Sequence, residues 1–177
     1  MDKKNYCDAL GFVVSYKSLD EQLLFNEMSS RIKGLKLERR GKTSSAFYVN
    51  DYASVVEEMH KESFIFLLHI HPFMSKRDIC RKYSDFDTYV FMMEELLPRL
   101  LPTEKIICQC RIDSTVPMEY SNKELTTLLS SFLRNRGYII APQDATISVS
   151  LTVYENSAYM GISFLEDNVS DWTGGVL

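Results

Sequence analysis

The sequence predicts an α+β protein of two units, residues 1–74 and 75–177, each a sheet with helices packed on it. Three observations carry that expectation. Short β-branched and aromatic runs alternate with stretches whose apolar residues recur at helical spacing. Strands come in pairs joined by short polar turns, which favours antiparallel pairing over a purely parallel α/β sheet. The longest apolar run, Phe64–Ile70, is strand-sized and far short of the roughly 20 residues that cross a membrane as a helix.

Leu10–Lys17 is β-branched and aromatic, and reads as the first strand. Asp20 stands before Leu24, Phe25, Met28 and Ile32 at helical spacing, so it is the expected N-cap, with Gly34 as the terminator. Lys36–Arg40 and Ala46–Asn50 read as a hairpin turning around Gly41. Asn50 or Asp51 caps a second helix that turns Ala53, Val56 and Met59 inward. Phe64–His71 is a strand stopped by Pro72. The order strand, helix, strand, strand, helix, strand is the ferredoxin-like arrangement.

Ser75–Lys82 is polar and without period, and is expected to be a linker or short helix. Phe86, Tyr89, Val90, Met93, Leu97 and Leu100 then mark an amphipathic helix, broken at Pro98 and Pro102. Lys105–Ile112 reads as a strand. Ser121 and Glu124 form a capping box for a helix with Leu125, Leu128, Leu129 and Phe132 inward, ended by Gly137. Ile147–Tyr154 and Ala158–Phe164 are strands around a Glu155-Asn156-Ser157 turn. The second unit is therefore helix, strand, helix, strand, strand, with a mixed sheet of three or more strands. No internal repeat or low-complexity tract interrupts the chain.

The chain has 20 basic and 24 acidic side chains, a net charge of −4, which argues against a strongly positive field for nucleic acid. Local charge differs: Arg31, Lys33, Lys36, Arg39, Arg40 and Lys42 crowd one segment, opposed only by Glu38. A solvated strand-and-turn face gives the same pattern. The N-terminus lacks the apolar core of a signal peptide, so a cytoplasmic protein with no membrane contact is expected. Its four cysteines, Cys7, Cys80, Cys108 and Cys110, lack zinc-knuckle spacing and are expected to be buried, reduced thiols.

Little else suggests chemistry. His69 and His71 project from one strand face, but a metal needs a third ligand, and His60 brings no companion motif; a structural role near the junction of the units is the expectation. With seven glycines the chain has neither a Rossmann nor a P-loop phosphate motif, and there is no nucleophile elbow. Asp85, Asp87, Glu94 and Glu95 are expected on solvated helix faces. Tyr83, Tyr89, Tyr120, Tyr138, Tyr159 and Trp172 offer aromatic surface, mostly for the core; Trp172 stands apart, beyond the last strand. No residue is assigned a catalytic role and none a metal.

The second half carries a series of phrases: Gln109-Cys110-Arg111, Tyr120-Ser121, Ser148-Val149-Ser150, Ala158-Tyr159-Met160-Gly161-Ile162-Ser163 and Asp167-Asn168-Val169-Ser170-Asp171-Trp172-Thr173-Gly174-Gly175. With Leu68-His69-Ile70-His71-Pro72, they resemble the N-terminal region of FtsJ-like, RlmM-like ribosomal RNA large-subunit 2′-O-methyltransferases. Val169 departs from the leucine expected there. In that family a ferredoxin-like domain and an RNA-binding THUMP domain precede a methyltransferase domain. The resemblance implies a THUMP-like second unit and an RNA partner, ribosomal before transfer RNA. It implies S-adenosylmethionine only in a further domain that this sequence does not contain, and it makes the chain the non-catalytic part of a longer enzyme. Charge alone then nominates Arg39, Arg40 and Lys42 in the first unit and Arg111, Lys123, Arg134 and Arg136 in the second as RNA contacts. The rival expectations are a protein-interaction or regulatory module of the same fold without RNA binding, and a small metalloenzyme using His69 and His71.

Overall fold

The computed structural model describes residues 1–168; residues 169–177, with Trp172 and most of the closing Asp-Asn-Val-Ser-Asp-Trp-Thr-Gly-Gly phrase, lie outside the described residues. The first sheet holds β1 (Gly11–Ser15), β2 (Lys36–Arg40), β3 (Ser44–Tyr48) and β4 (His69–Phe73) in the order β2-β3-β1-β4, all antiparallel. Helices α1 (Glu21–Arg31) and α2 (Tyr52–Lys61) cover one face, where Leu24, Met28, Val55, Val56 and Met59 meet Phe12, Val14, Phe47 and Ile70. This is the ferredoxin-like arrangement the element order predicts.

Asp51 caps α2 by accepting from Ser54 N at 3.2 Å. Asp20 does not cap α1: a 3₁₀ turn over Ser18–Asp20 runs straight into the helix, and the Asp20 carboxylate makes no cap bond. Gly34, at φ +73°, turns the chain toward β2 after α1 has already ended at Arg31.

Pro72 lies inside β4 and does not stop it. β4 is the edge of its sheet, where a missing N–H need not break a ladder. The apolar run before it is instead a turn: Phe64 and Leu67, each 1% exposed, plug the end of the core, and strand pairing starts only at His69. Burial, not pairing, accounts for that composition.

The second sheet holds β5 (Ser75–Asp78), β6 (Lys105–Ile112), β7 (Ile139–Ile140), β8 (Ile147–Val153) and β9 (Ser157–Phe164) in the order β5-β9-β8-β6-β7. β6 runs parallel to β7 and β8, while β9 is antiparallel to β8 and β5, so the sheet is mixed as expected. Helices α3 (Asp85–Leu96) and α4 (Asn122–Asn135) cover one face with Tyr89, Met92, Met93, Leu96, Leu125, Leu129 and Leu133. Ser121 caps α4 by accepting from Glu124 N at 3.2 Å, and Gly137, at φ +89°, follows its end.

The stretch expected to be linker or helix begins as β5. A polar edge strand pairs its backbone with β9 and leaves Lys76, Arg77 and Asp78 partly or fully exposed, so it needs no apolar alternation. Only Met74 separates β4 from β5, and its N–H donates to Met160 O at 2.9 Å. The chain thus steps from one sheet to the other without a loop.

The helix-free faces of the two sheets meet. Val13, Ala46 and Phe73 pack against Tyr154 and Tyr159, with the Phe73 and Tyr159 rings edge-on at 4.9 Å. A 3₁₀ turn over Leu165–Asn168 then returns to the first unit, where the fully buried Asp167 accepts from Tyr6 OH at 2.6 Å and lies 2.8 Å from His60 Nε2. No described helix is long and apolar enough to cross a membrane.

Candidate nucleic-acid interface

Alternation along the second sheet separates an apolar face from a polar one. On β8, Val149, Leu151 and Val153 enter the core under α3 and α4, while Ser148, Ser150 and Thr152 point the other way and are at most 2% exposed. On β6, Cys108 and Cys110 face α4, and burial pushes their thiols up to about 11 and about 12. Gln109 and Arg111 share the opposite, polar face. The edge strand β4 of the first sheet brings His69 and His71 over it.

The result is a hydrogen-bonded seam. Ser148 Oγ donates to Gln109 Oε1 at 2.9 Å and lies 2.9 Å from Ser150 Oγ. His69 Nε2 approaches the same Gln109 oxygen at 3.3 Å. His71 Nδ1 lies 2.8 Å from Pro72 O, which can only accept, so Nδ1 carries the proton. His71 Nε2, 2.8 Å from Thr152 Oγ1, then accepts from that hydroxyl. Desolvation, with Arg111 beside it, lowers His69 to about 4; desolvation and then His69 lower His71 to about 3. Both rings are neutral at physiological pH.

Where the seam opens, a cleft of about 140 Å³ is lined by His69, His71, Gln109, Cys110, Arg111, Leu151 and Thr152. Among the described residues no carboxylate lines it, and the Arg111 side chain has no hydrogen bond or ion pair. A half-buried cation without a counter-charge is the least compensated charge of the seam.

The seven nominated cations have different fates. Lys42, Arg111 and Lys123 belong to backbone segments that meet at the C-terminal end of β6: Lys42 N donates to Asp113 at 3.3 Å, and Ile112 N donates to Asn122, next to Lys123, at 2.8 Å. The Lys42 and Lys123 side chains are exposed. Arg134 is exposed too, but 11 residues along α4 from Lys123, roughly 16 Å at the helical rise. The other three are engaged. Arg39 binds Glu155 at 2.6 Å and Asn156 at 2.8 Å and lies over the Tyr154 ring, joining the two units. Arg40 pairs with Glu21, and Arg136 pairs with Glu94 at 2.7 Å and covers Phe132.

Other expectations change. Cys7 and Cys80 are exposed, because neither lies in a sheet; Cys80 Sγ instead donates to Asp85 at 3.2 Å. Asp85 is buried at the start of α3, accepting from Cys80 N, Lys82 N and Tyr120 OH, so it anchors the turn before the helix and is not a solvated residue. Tyr89, Tyr120 and Tyr159 are core residues, while Tyr83 is 52% exposed. His60 is bound to Asp167, away from His69 and His71, and no described His, Cys, Asp or Glu residues form a metal-sized group of three. Sequence reading missed Gln109 as part of a site. The signal was present in the period-two polar residues Ser148, Ser150 and Thr152 beside Gln109 and Arg111.

The buried histidines fix a pH response. Unfolded, each titrates near the ordinary 6.5; folded, they titrate at about 4 and about 3. Their contribution to stability is complete above 6.5 and is lost as pH falls from 6.5 toward those values. The slope is up to about 1.4 kcal/mol per pH unit for each histidine. Urea midpoints measured from pH 7 to 4.5 should fall more steeply for the wild type than for His71→Gln.

Comparison with known proteins places this fold. No protein-family model matches the chain, and no curated protein matches it. Solved structures do. TrmN from Thermus thermophilus superposes with a TM-score of 0.60 at 13% identity, over 86% of this chain and 44% of its own. A 4-thiouridine synthetase–RNA complex with bound ATP gives 0.54 at 10% identity, over 88% and 41%. A predicted N6-adenine-specific DNA methylase from Listeria monocytogenes gives 0.60 at 9% identity, over 92% and 42%. The chain therefore spans less than half the length of these three proteins, and what it shares with them is the fold of nearly its whole described length.

Proposed function

We propose that this chain is the RNA-binding, THUMP-containing region of an RNA-modifying enzyme, most simply an RNA methyltransferase. The observation that carries this is the shared fold: nearly the whole chain matches less than half of larger proteins, among them a 4-thiouridine synthetase solved with RNA. The geometry agrees. The segments carrying Lys42, Arg111 and Lys123 meet at one end of β6 from both units, and contacts to phosphate oxygens are what orient a protein on RNA. Holding the substrate there would let a catalytic domain elsewhere in the polypeptide find its target atom in a defined orientation. The finer reading follows the sequence resemblance: the RNA is ribosomal before transfer RNA, the methyl acceptor is a ribose 2′-oxygen, and S-adenosylmethionine binds in that other domain. No catalytic role falls to the residues described.

The test is a titration with transfer RNA and with ribosomal RNA fragments at increasing salt. Log affinity should fall linearly with log salt, and Lys123→Gln should make that slope shallower by about one. No binding to either RNA at low salt would contradict the proposal. It would favour an interaction module, for which Leu19, Leu23 and Ile65, at 95%, 48% and 70% exposure, supply an apolar surface.

A further inference from the structure

The cleft between β4 and β6 is a built site, distinct from the surface lysines around it. It combines a guanidinium with no side-chain partner among the described residues, two imidazoles and an amide, in about 140 Å³. That is room enough for one tetrahedral oxyanion. Its other walls are Cys110, Leu151 and Thr152, none of which carries charge at neutral pH.

We propose that this cleft is a phosphate-binding subsite in which Arg111 supplies the charge and His69 the adjustable hydrogen bond. The assignment to a phosphate of RNA rests on the function proposed above; the anion chemistry does not. Arginine matches two oxygens of a phosphate at once, and no described acid lines the cleft to compete for it. His71 cannot turn toward a ligand, because Pro72 O and Thr152 Oγ1 hold both its nitrogens. Among the described residues the His69 imidazole has just the longer contact to Gln109.

The consequence is a proton coupled to the anion. The groups facing His69 are Arg111 and Gln109 from β6, His71 from its own strand and Ser15 from β1. The 3₁₀ turn packed against β4 brings Asp167, which is engaged by Tyr6 and His60, and the exposed Glu166. Among the described residues no carboxylate lines the cleft or pairs with Arg111, and an anion seated on Arg111 removes one of the causes that hold His69 neutral. Binding should raise the His69 pKa, and by linkage the anion should bind more tightly as pH falls toward the bound-state value.

The experiment is an NMR titration of the three imidazoles in the full chain, with dimethyl phosphate, whose single charge is fixed over the range, and with methyl phosphate. Short RNAs with and without a terminal phosphate form the second arm. The proposal expects His69 to titrate at least one pH unit higher with a saturating phosphate diester or monoester, His60 to stay unmoved, and Arg111→Gln to abolish the shift. A shift with the RNA carrying a terminal phosphate alone identifies a chain end; a shift with both RNAs identifies the backbone. RNA binding that leaves His69 unmoved, with no response to either small phosphate, overturns the subsite and leaves the RNA-binding function standing. A response to the small phosphates without RNA binding does the reverse. If Arg111→Gln unfolds, Arg111→Lys, which keeps the charge and loses the two-pronged geometry, should weaken the shift without removing it.

Discussion

Gly161→Ala is expected to destabilise the protein by about 2–4 kcal/mol, lowering the thermal midpoint by roughly 5–15 °C. Gly161 lies on the polar face of β9, where the two sheets touch backbone to backbone. An added Cβ would drive into the Pro72 carbonyl oxygen, with the Pro72 carbonyl carbon at 2.7 Å and Phe73 Cα at 3.1 Å. Main chain cannot swing aside as a side chain can, so β4 would have to move from β9. That movement breaks the bond from Met74 N to Met160 O and opens the Phe73–Tyr159 contact. Gly34→Ala is the comparison: its φ of +73° strains an alanine, but nothing lies within 4 Å, so its cost should stay near 1 kcal/mol. Equal losses in the two variants would mean that close approach of the sheets does not matter to stability.

Asp113→Ala should act at the other end of the same seam. Asp113, 8% exposed, follows β6 directly, and its carboxylate accepts from Ser44 Oγ at 2.6 Å, Thr43 N at 3.2 Å and Lys42 N at 3.3 Å. All three donors belong to the β2–β3 hairpin of the first unit. Removing the carboxylate strands Ser44 with Tyr154 OH alone, 3.0 Å away, while the two backbone donors, being only partly buried, recover water. A loss of about 2–4 kcal/mol follows. Because these bonds tie the turn carrying Lys42 to the end of β6, RNA affinity should fall as well, whereas Asp113→Asn, which keeps an acceptor, should lose less of both. Chemical denaturation and RNA titration on the same preparations check the pair. Lower stability with unchanged RNA affinity would separate the hairpin from the interface.

Much of this fold could be read in advance because its signals are local. The period-two run Ile147–Tyr154, the capping serine of α4 and the helical spacing of Leu24, Met28 and Ile32 each depend on a few neighbours, and each element appears where expected. The failures have a common cause: partners far away in sequence. Ser75–Asp78 looks structureless until β9, some 80 residues on, supplies its ladder. Phe64–Leu68 looks like a strand because core plugs and strands share a composition. Pro72 is admitted to β4 by an edge position that only the sheet order defines.

The candidate site was legible in part for the same reason. Charge nominated Arg111, Lys42 and Lys123, but charge could not show that Arg39, Arg40 and Arg136 are bound to Glu155, Glu21 and Glu94. The histidine pair was noticed as possible metal ligands. Its neighbours, Gln109, Thr152 and Arg111, come from strands 40 and more residues away.

The central claim is that RNA is held at the seam through Arg111. The most direct test is the salt dependence of RNA affinity in the wild type and in Arg111→Gln, with the fold of both checked by near-ultraviolet dichroism. The variant should bind more weakly, with a slope of log affinity against log salt shallower by about one. Identical affinities and slopes for the two proteins would contradict it.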